Sequence, residues 1–179
     1  MSTVSETQAK LNGVVESLGT AKFDLGDCTV SVAAVLATPD AYVLLDARSA
    51  EEMNVSMIPG AITKAEFDAS PEKYADRAVV AYCTVGYISG ACTRELRNRG
   101  HANVKNLGDE ALLGYTLAQT SAGVAKPLAK ADGTATNEVH TFMPDLAPLA
   151  GEGMVGKAFA DPGAVLEAAN ASIKERLGV

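Results

Sequence analysis

Tryptophan is absent from the 179 residues, and histidine and cysteine are rare, with two and three copies. Because His101 and His140 are the only histidines, a histidine-rich metal site is excluded. The cysteines, Cys28, Cys83 and Cys92, are odd in number and lack the C-x-x-C spacing of many metal and redox sites. We therefore expect no metal, no cofactor and no disulfide framework. Reduced cysteines are typical of intracellular proteins, which favours a cytoplasmic location.

Positive charge and long apolar runs are also scarce. The chain has 15 lysines and arginines against 22 aspartates and glutamates, a net charge of -7. This balance argues against nucleic acid or an anionic membrane as the main partner. No apolar run approaches the roughly 18 residues that a membrane-spanning helix needs, so none is predicted. The first ten residues contain Glu6 and no arginine, unlike a secretory signal or a transit peptide; an organelle lumen stays open if a presequence has been removed.

Short apolar runs alternate with segments of helical spacing in the middle of the chain. The runs at Tyr42–Asp46, Ala78–Tyr82 and Asn103–Leu107 have the length and composition of buried strands. Strands separated by helices predict a parallel sheet that is covered on both faces. We expect an α/β fold over residues 28–118, with three layers (α/β/α) and a central, mostly parallel sheet of about five strands.

Both ends of the chain add helical segments to this domain. Residues 1–27 are expected to form an extension with one helix, capped by Ser5 with Gln8 three residues later. Residues 119–179 are expected to form an irregular wrap-around segment and then a helix that begins at Asp161–Pro162. The apolar faces of the two helices are the basis for a further hypothesis, that the chain forms a homo-oligomer through them.

The stretch Ala81–Gly90 places Cys83 directly after a predicted strand and before a predicted helix. Backbone N–H groups of such a turn, and of the helix N-terminus, face the sulfur with partial positive charge. This environment favours the thiolate, which is the nucleophile. We expect the loop alone to lower the thiol pKa, without a separate base. Gly86 permits a positive φ inside the loop, and Ser89 is expected to cap the helix.

Four motifs occur in the order and at the spacing of a known family. They are Asp46-Ala47-Arg48, then Glu52, then Ile58-Pro59-Gly60-Ala61, and finally Cys83-Thr84-Val85-Gly86-Tyr87-Ile88-Ser89. Together they resemble a single-domain rhodanese, a sulfurtransferase, over roughly residues 31–115.

The resemblance implies that Cys83 accepts a sulfane sulfur as a persulfide and passes it to a thiol acceptor. The sulfur donor would be a small molecule or a persulfide-carrying protein. For Asp46, Arg48 and Glu52, a structural ion pair with a loop cap is the favoured alternative to substrate contact. The residues predicted to bind substrate are Thr84, Val85, Gly86, Tyr87, Ile88, Ser89, Asp46 and Arg48.

The chain also departs from the family pattern. Ile88 stands where the family has an arginine, Ser56-Met57 replaces a Gly-His pair, and the tryptophan near the end of the domain is missing. The arginine would attract an anionic donor, and a close charge pair can be worth on the order of 2–5 kcal/mol. These departures favour an apolar donor, a protein persulfide, or a binding or regulatory module with weak or no catalysis. Ser89 stands where a phosphatase C-x5-R loop has its arginine, which excludes a phosphatase.

Three further side chains have structural interpretations. We expect Cys92 on the core face of its helix and Cys28 packed in a short strand. His140 is expected to be a satisfied surface or core histidine.

Overall fold

A parallel sheet of five strands forms the centre of the computed structural model, which describes residues 3–178. The sheet order is β1-β5-β4-β2-β3, and every neighbouring pair is parallel. The central strands are buried on both faces, which is why they are continuous apolar runs in the sequence. The strands are β1 (Thr29–Val30), β2 (Tyr42–Asp46), β3 (Ile62–Thr63), β4 (Ala78–Tyr82) and β5 (Val104–Leu107).

Helices cover both faces of this sheet. Successive residues of β4 point to opposite faces, so Val80 and Tyr82 join one core and Val79 and Ala81 join the other. The predicted α/β/α layering is therefore confirmed. None of the helices within residues 3–178 is long and apolar enough to cross a membrane. The helices are α1 (Val4–Leu18), α2 (Val32–Ala37), α3 (Ala50–Val55), α4 (Lys64–Ala69), α5 (Tyr87–Asn98), α6 (Ala111–Ser121) and α7 (Pro162–Leu177).

The segment between α6 and α7 contains more regular structure than the sequence predicts. It forms two small two-stranded sheets, and a 3₁₀ helix lies at Pro144–Leu149. Strands of two or three residues are too short to show a period, so the pattern gives no sign of them. The domain boundaries predicted at residues 28 and 118 remain predictions. The strands are β6 (Leu128–Ala129), β7 (Ala135–Thr136), β8 (Glu138–His140) and β9 (Val155–Lys157).

The terminal helices pack within the chain. Leu11 of α1 is fully buried in the core that contains α6, and Ile173 of α7 is buried against α5. The apolar faces of α1 and α7 thus have partners within the chain. Self-association through these helices stays a prediction. The predicted Ser5 cap is wrong: Thr3, two residues earlier, caps α1 in a reciprocal pair with Glu6.

An unusual backbone turn precedes α6. Asp109, Glu110 and Ala111 have φ values of 48°, 66° and 53°, in a region that costs non-glycine residues of order 1–3 kcal/mol each. The turn aims the first free N–H groups of α6 at the loop after β4. Leu112 N–H donates to the Cys83 carbonyl oxygen at 3.1 Å, and Leu113 N–H donates to that of Thr84 at 3.2 Å. The loop is thus anchored from a helix that follows it in the chain.

Gly114 makes this close turn possible, because a Cβ here would overlap the Asp109 carbonyl oxygen. We expect Gly114→Ala to lower the free energy of unfolding by about 1–3 kcal/mol, since the backbone must move to admit the methyl group. Gly13→Ala in α1 is the matched control, because nothing lies near its Cβ. It should raise stability by about 0.5–1 kcal/mol. Urea unfolding measures both variants, and equal effects would contradict the assignment.

Candidate functional site

Cys83 lies at the carboxyl end of β4, the middle strand of the sheet. The chain leaves the strand, turns through Gly86 with φ of 89°, and enters α5 at Tyr87. Only glycine adopts this φ readily, so Gly86 sets the shape of the loop. The Cys83 side chain is buried and the residue is 3% exposed.

The sulfur of Cys83 is surrounded by hydrogen-bond donors. The backbone N–H groups of Val85 and Ser89 face it, and Ser89 Oγ lies 3.5 Å from Sγ. The Ser89 hydroxyl has a single proton, for which Asn106 Oδ1, at 2.7 Å, is a second acceptor beside the sulfur. The N-cap residue of α5 is Gly86, three residues before Ser89, so Ser89 lies inside the first turn of the helix. The predicted capping role of Ser89 is therefore wrong.

Burial controls the protonation of this thiol. Burial raises the pKa of Cys83 above its ordinary value, and the nearby Glu52 carboxylate adds to the rise. Hydrogen bonds from Ser89 and from the Val85 N–H act in the opposite direction without cancelling the effect of burial. The expectation that the loop alone lowers the pKa was thus wrong, because the loop is covered as well as rich in donors.

Asp46 and Arg48 form an ion pair beneath the loop. Arg48 Nε donates to Asp46 Oδ1 at 2.9 Å, and Arg48 Nη2 donates to Asp46 Oδ2 at 2.6 Å. Tyr82 Oη donates to the same Oδ2 at 2.6 Å. Both charged side chains are fully buried. Burial opposes the charged form of Arg48, but its bonds with Asp46 outweigh this and raise its pKa.

The ion pair is the interpretation that the sequence favoured for Asp46 and Arg48, and substrate contact by Asp46 stays a prediction. The Asp46 carboxylate is fully buried, and both oxygens accept hydrogen bonds from within the protein. Arg48 contributes to the lining of a cavity, but its side chain has no exposed surface, and its buried Nη1 has no hydrogen-bond partner among the described residues.

Glu52 lies beside Arg48 and closes the floor of the site. Its Oε2 accepts from the N–H and hydroxyl of Ser49, as the capping box of α3. Its Oε1 accepts from the Thr84 hydroxyl at 3.2 Å. Both carboxylate oxygens thus have partners, and Glu52 connects α3 to the loop that follows Cys83.

A cavity of 320 Å³ opens over Cys83. Of the nine predicted site residues, six line the cavity, and Asp46, Gly86 and Ser89 lie outside its lining. The six are Arg48, Cys83, Thr84, Val85, Tyr87 and Ile88, and Glu52 of the central domain joins them. The rest of the lining comes from the terminal segments, for which the sequence analysis named no individual site residues. Those residues are Lys10, Val14, Ser17, Leu18, Phe142, Met143, Asp145, Leu146, Leu149 and Leu166.

Tyr87 connects the loop to both terminal segments. Its hydroxyl donates to Asn170 Oδ1 of α7 at 2.7 Å. The Lys22 ammonium donates to the same hydroxyl at 2.5 Å and lies 4.7 Å from the ring centroid. The two ends of the chain therefore meet at the rim of the cysteine loop.

His140 and Cys92 lie outside this cavity. His140 is 2% exposed; its Nδ1 accepts from the Phe142 N–H, while its buried Nε2 has no partner within residues 3–178. Burial lowers its pKa, so the imidazole is neutral near pH 7. His140 is a core residue as predicted, though not a fully satisfied one. Burial raises the pKa of Cys92 to about 12, in keeping with its predicted core position. No group of His, Cys, Asp or Glu in the described part of the chain has the arrangement that a metal ion requires.

The fold and the loop define a parallel α/β domain with a cysteine at the carboxyl edge of its sheet. Residues 31–109 match the family model of the rhodanese-like domain. A curated relative, the tRNA sulfurtransferase of Desulfurococcus amylolyticus, is 41% identical over 64 residues. That alignment covers 35% of this chain and only 13% of the relative.

Solved structures show more distant likeness. A rhodanese-related protein from Thermoplasma volcanium is 19% identical, with a TM-score of 0.42, and the match covers 49% of this chain and 88% of that one. The thiosulfate sulfurtransferase of Pseudomonas aeruginosa is 25% identical, with a TM-score of 0.45. That match covers 68% of this chain and 23% of the other.

The raised pKa of Cys83 predicts slow thiol chemistry at neutral pH. Alkylation by iodoacetamide requires the thiolate, so its rate should increase with pH and still be increasing at pH 9.0, the ordinary pKa of the thiol. Peptide mass spectrometry separates modification of Cys83 from that of Cys28 and Cys92. A rate that is already constant above about pH 7 would instead indicate a thiol with a lowered pKa.

Proposed function

We propose that this protein is a sulfurtransferase that takes a sulfane sulfur onto Cys83 as a persulfide and passes it to a thiol acceptor. One observation carries the proposal: Cys83 Sγ is faced by two backbone N–H groups and a hydroxyl at the floor of a cavity. The match to the rhodanese-like domain and the relative named a tRNA sulfurtransferase support it.

The reaction has two displacement steps. The Cys83 thiol first loses its proton to solvent, and the thiolate attacks the outer sulfur of the donor. The donor's bond to that sulfur breaks, and the leaving group departs with the electron pair. The persulfide anion on Cys83 then accepts hydrogen bonds from the Val85 and Ser89 N–H groups. An acceptor thiolate attacks the outer sulfur in turn and releases the Cys83 thiolate, so no oxidant is consumed.

The remaining residues have supporting roles in this proposal. Thr84, Val85, Tyr87, Ile88 and Arg48 line the cavity and would contact the donor. Gly86 and Ser89 would shape the loop and position the sulfur, since they lie outside the lining.

A second candidate is a binding or regulatory module with weak or no catalysis. Two observations favour it: Ile88 replaces the family arginine, and Cys83 is only 3% exposed beneath the terminal segments. If sulfur donors cannot reach the Cys83 thiol, this residue would have only a structural role.

Persulfide formation tests the enzymatic proposal directly. After incubation with a sulfane-sulfur donor and trapping, mass spectrometry should find one added sulfur on the Cys83 peptide. Cys83→Ser should lose the adduct. Cys92→Ser is the matched control and should retain it, because Cys92 is buried in the core and away from the cavity. An adduct equally abundant in Cys83→Ser would overturn the proposal.

An arginine at position 88, as in the family, tests whether the protein is a sulfurtransferase or a binding or regulatory module. If only the charge is missing, Ile88→Arg should increase kcat/KM for thiosulfate by about 30-fold or more, as expected for a close charge pair. Ile88→Gln is the control for polarity without charge and should change it little. No gain in Ile88→Arg, with the fold intact by circular dichroism, would favour the non-catalytic module.

A further inference from the structure

A strained turn in the segment after α6 forms part of the wall over Cys83. Phe142 has a φ of 67°, and the Met143 N–H donates across it to the Thr141 carbonyl oxygen at 2.8 Å. A hydrogen bond between residues i and i+2 around a positive φ defines the type of γ-turn that is rare and strained. Phe142 is half-buried and lines the cavity over Cys83. Such a turn persists only where its surroundings hold it, so those surroundings also hold part of the wall.

His140 is one of the groups that hold the turn. Its Nδ1 accepts a hydrogen bond from the Phe142 N–H at 3.2 Å. Its ring centroid lies 4.4 Å from that of Phe159, which in turn lies 5.1 Å from that of Phe142. Because Nδ1 is an acceptor, the neutral imidazole carries its proton on Nε2. The bond that His140 makes to the Phe142 backbone therefore exists only while Nδ1 is unprotonated.

Charged groups lie near His140 on two sides, on and before α3, which packs against β8, and in the segment between α6 and α7. Glu52 Oε1 lies 3.9 Å from Nδ1. Glu52 and Glu51 favour the imidazolium, whereas burial and Arg48 oppose it, and burial has the largest effect. In the segment after α6, both lysines pair with Glu138. The charged groups are Arg48, Glu51, Glu52, Lys130, Glu138 and Lys157.

We propose that His140 is a positioning residue for the wall over Cys83 and makes this wall respond to pH. Neutral His140 accepts from the Phe142 N–H and holds the γ-turn closed. A proton on Nδ1 removes that acceptor and sets two N–H donors against each other, while Glu52 Oε1 offers the new donor an alternative partner. The turn then relaxes, the Phe142 ring leaves the wall, and small molecules reach Cys83 more easily.

The sign of the pH dependence follows from the two environments of the imidazole. In the closed turn, burial lowers the pKa of His140, whereas an open turn admits water and returns the pKa toward its ordinary value of 6.5. The open form thus binds a proton more tightly and gains population as the pH falls. The gain is up to about tenfold for each pH unit between the ordinary and the lowered pKa. At neutral pH the closed form prevails.

Amide hydrogen exchange measures the opening at the bond itself. The protection factor of the Phe142 N–H, which is corrected for the intrinsic effect of pH on exchange, is followed by NMR. It should fall by at least about threefold between about pH 7.5 and about pH 5.5. The N–H of Val79 in β4 is the internal control and should keep its protection. A constant value at Phe142, or an equal fall at Val79, would overturn the proposal.

The nitrogen chemical shifts of the imidazole give a test that needs no variant. At neutral pH they should show a neutral His140 with its proton on Nε2. A proton on Nδ1 at neutral pH would contradict the proposal, since the Phe142 N–H would then have no acceptor.

Two histidine variants form a matched pair. His140→Asn keeps an acceptor oxygen close to the position of Nδ1 but does not titrate, so the protection of Phe142 should no longer depend on pH. His101→Asn removes the other histidine, whose ring packs on Phe67 outside the cavity, and should retain the dependence. Retention in His140→Asn, or loss in His101→Asn, would overturn the proposal.

Access to Cys83 tests the last step. The rate of its reaction with dithiodipyridine is divided by the rate for a free cysteine peptide, and peptide mass spectrometry separates Cys83 from Cys28. Both thiols remain far below their pKa over this pH range, so the ratio reports access. It should increase as Phe142 loses protection, and in Phe142→Ala it should already be high at neutral pH. A ratio that stays constant in the wild type would overturn the proposal. No sulfur donor takes part, so the result does not depend on the proposed function.

Discussion

The buried ion pair of Asp46 and Arg48 determines the geometry of the site. It joins the end of β2 to Tyr82 of β4, and Arg48 Nη2 also donates to the Ser56 carbonyl oxygen at 2.6 Å. Ser56 Oγ in turn donates to the Glu138 carbonyl oxygen in the segment after α6. Removing one partner of a buried pair typically costs 3–5 kcal/mol, roughly, because it leaves an uncompensated charge. The sheet edge, the loop and the following segment are therefore held by one polar network.

That network also explains the electrostatics of the cysteine. The charges near Cys83 satisfy one another, so little positive charge is left to stabilise a thiolate, and burial raises its pKa. Stabilisation of an anion on Cys83 then depends on the two backbone N–H groups and the Ser89 hydroxyl. Their positions depend on Gly86 and on α6, whose first N–H groups fix the loop carbonyls. The chemistry thus rests on backbone geometry more than on charged side chains.

Much of the central domain was predictable from the sequence, and the reasons are local. Buried parallel strands such as β2 and β4 are continuous apolar runs, and the motifs around Asp46 and Cys83 occur at fixed spacing. Spacing alone cannot tell whether Asp46 faces a ligand or the arginine two residues away, which is why both interpretations were kept. The cap of α5 was predicted wrongly at Ser89, because the helix begins after Gly86, which has a positive φ. The pKa of Cys83 was mispredicted because burial depends on segments far away in the chain.

The residues that form the walls of the cavity could not be predicted from the sequence either, because they come from segments far away in the chain. The helical spacing of Val14, Leu18 and Leu166 predicts an apolar face, but a face can cover a core, a site or a second copy equally well. Only the fold shows that these residues surround Cys83, and all three lie outside the matched residues 31–109. Similarity within that range concerns the cysteine loop, which is where sulfur would be carried. Under the proposed function, the contacts of a donor would include residues of the extensions, which relatives that share only the domain need not have.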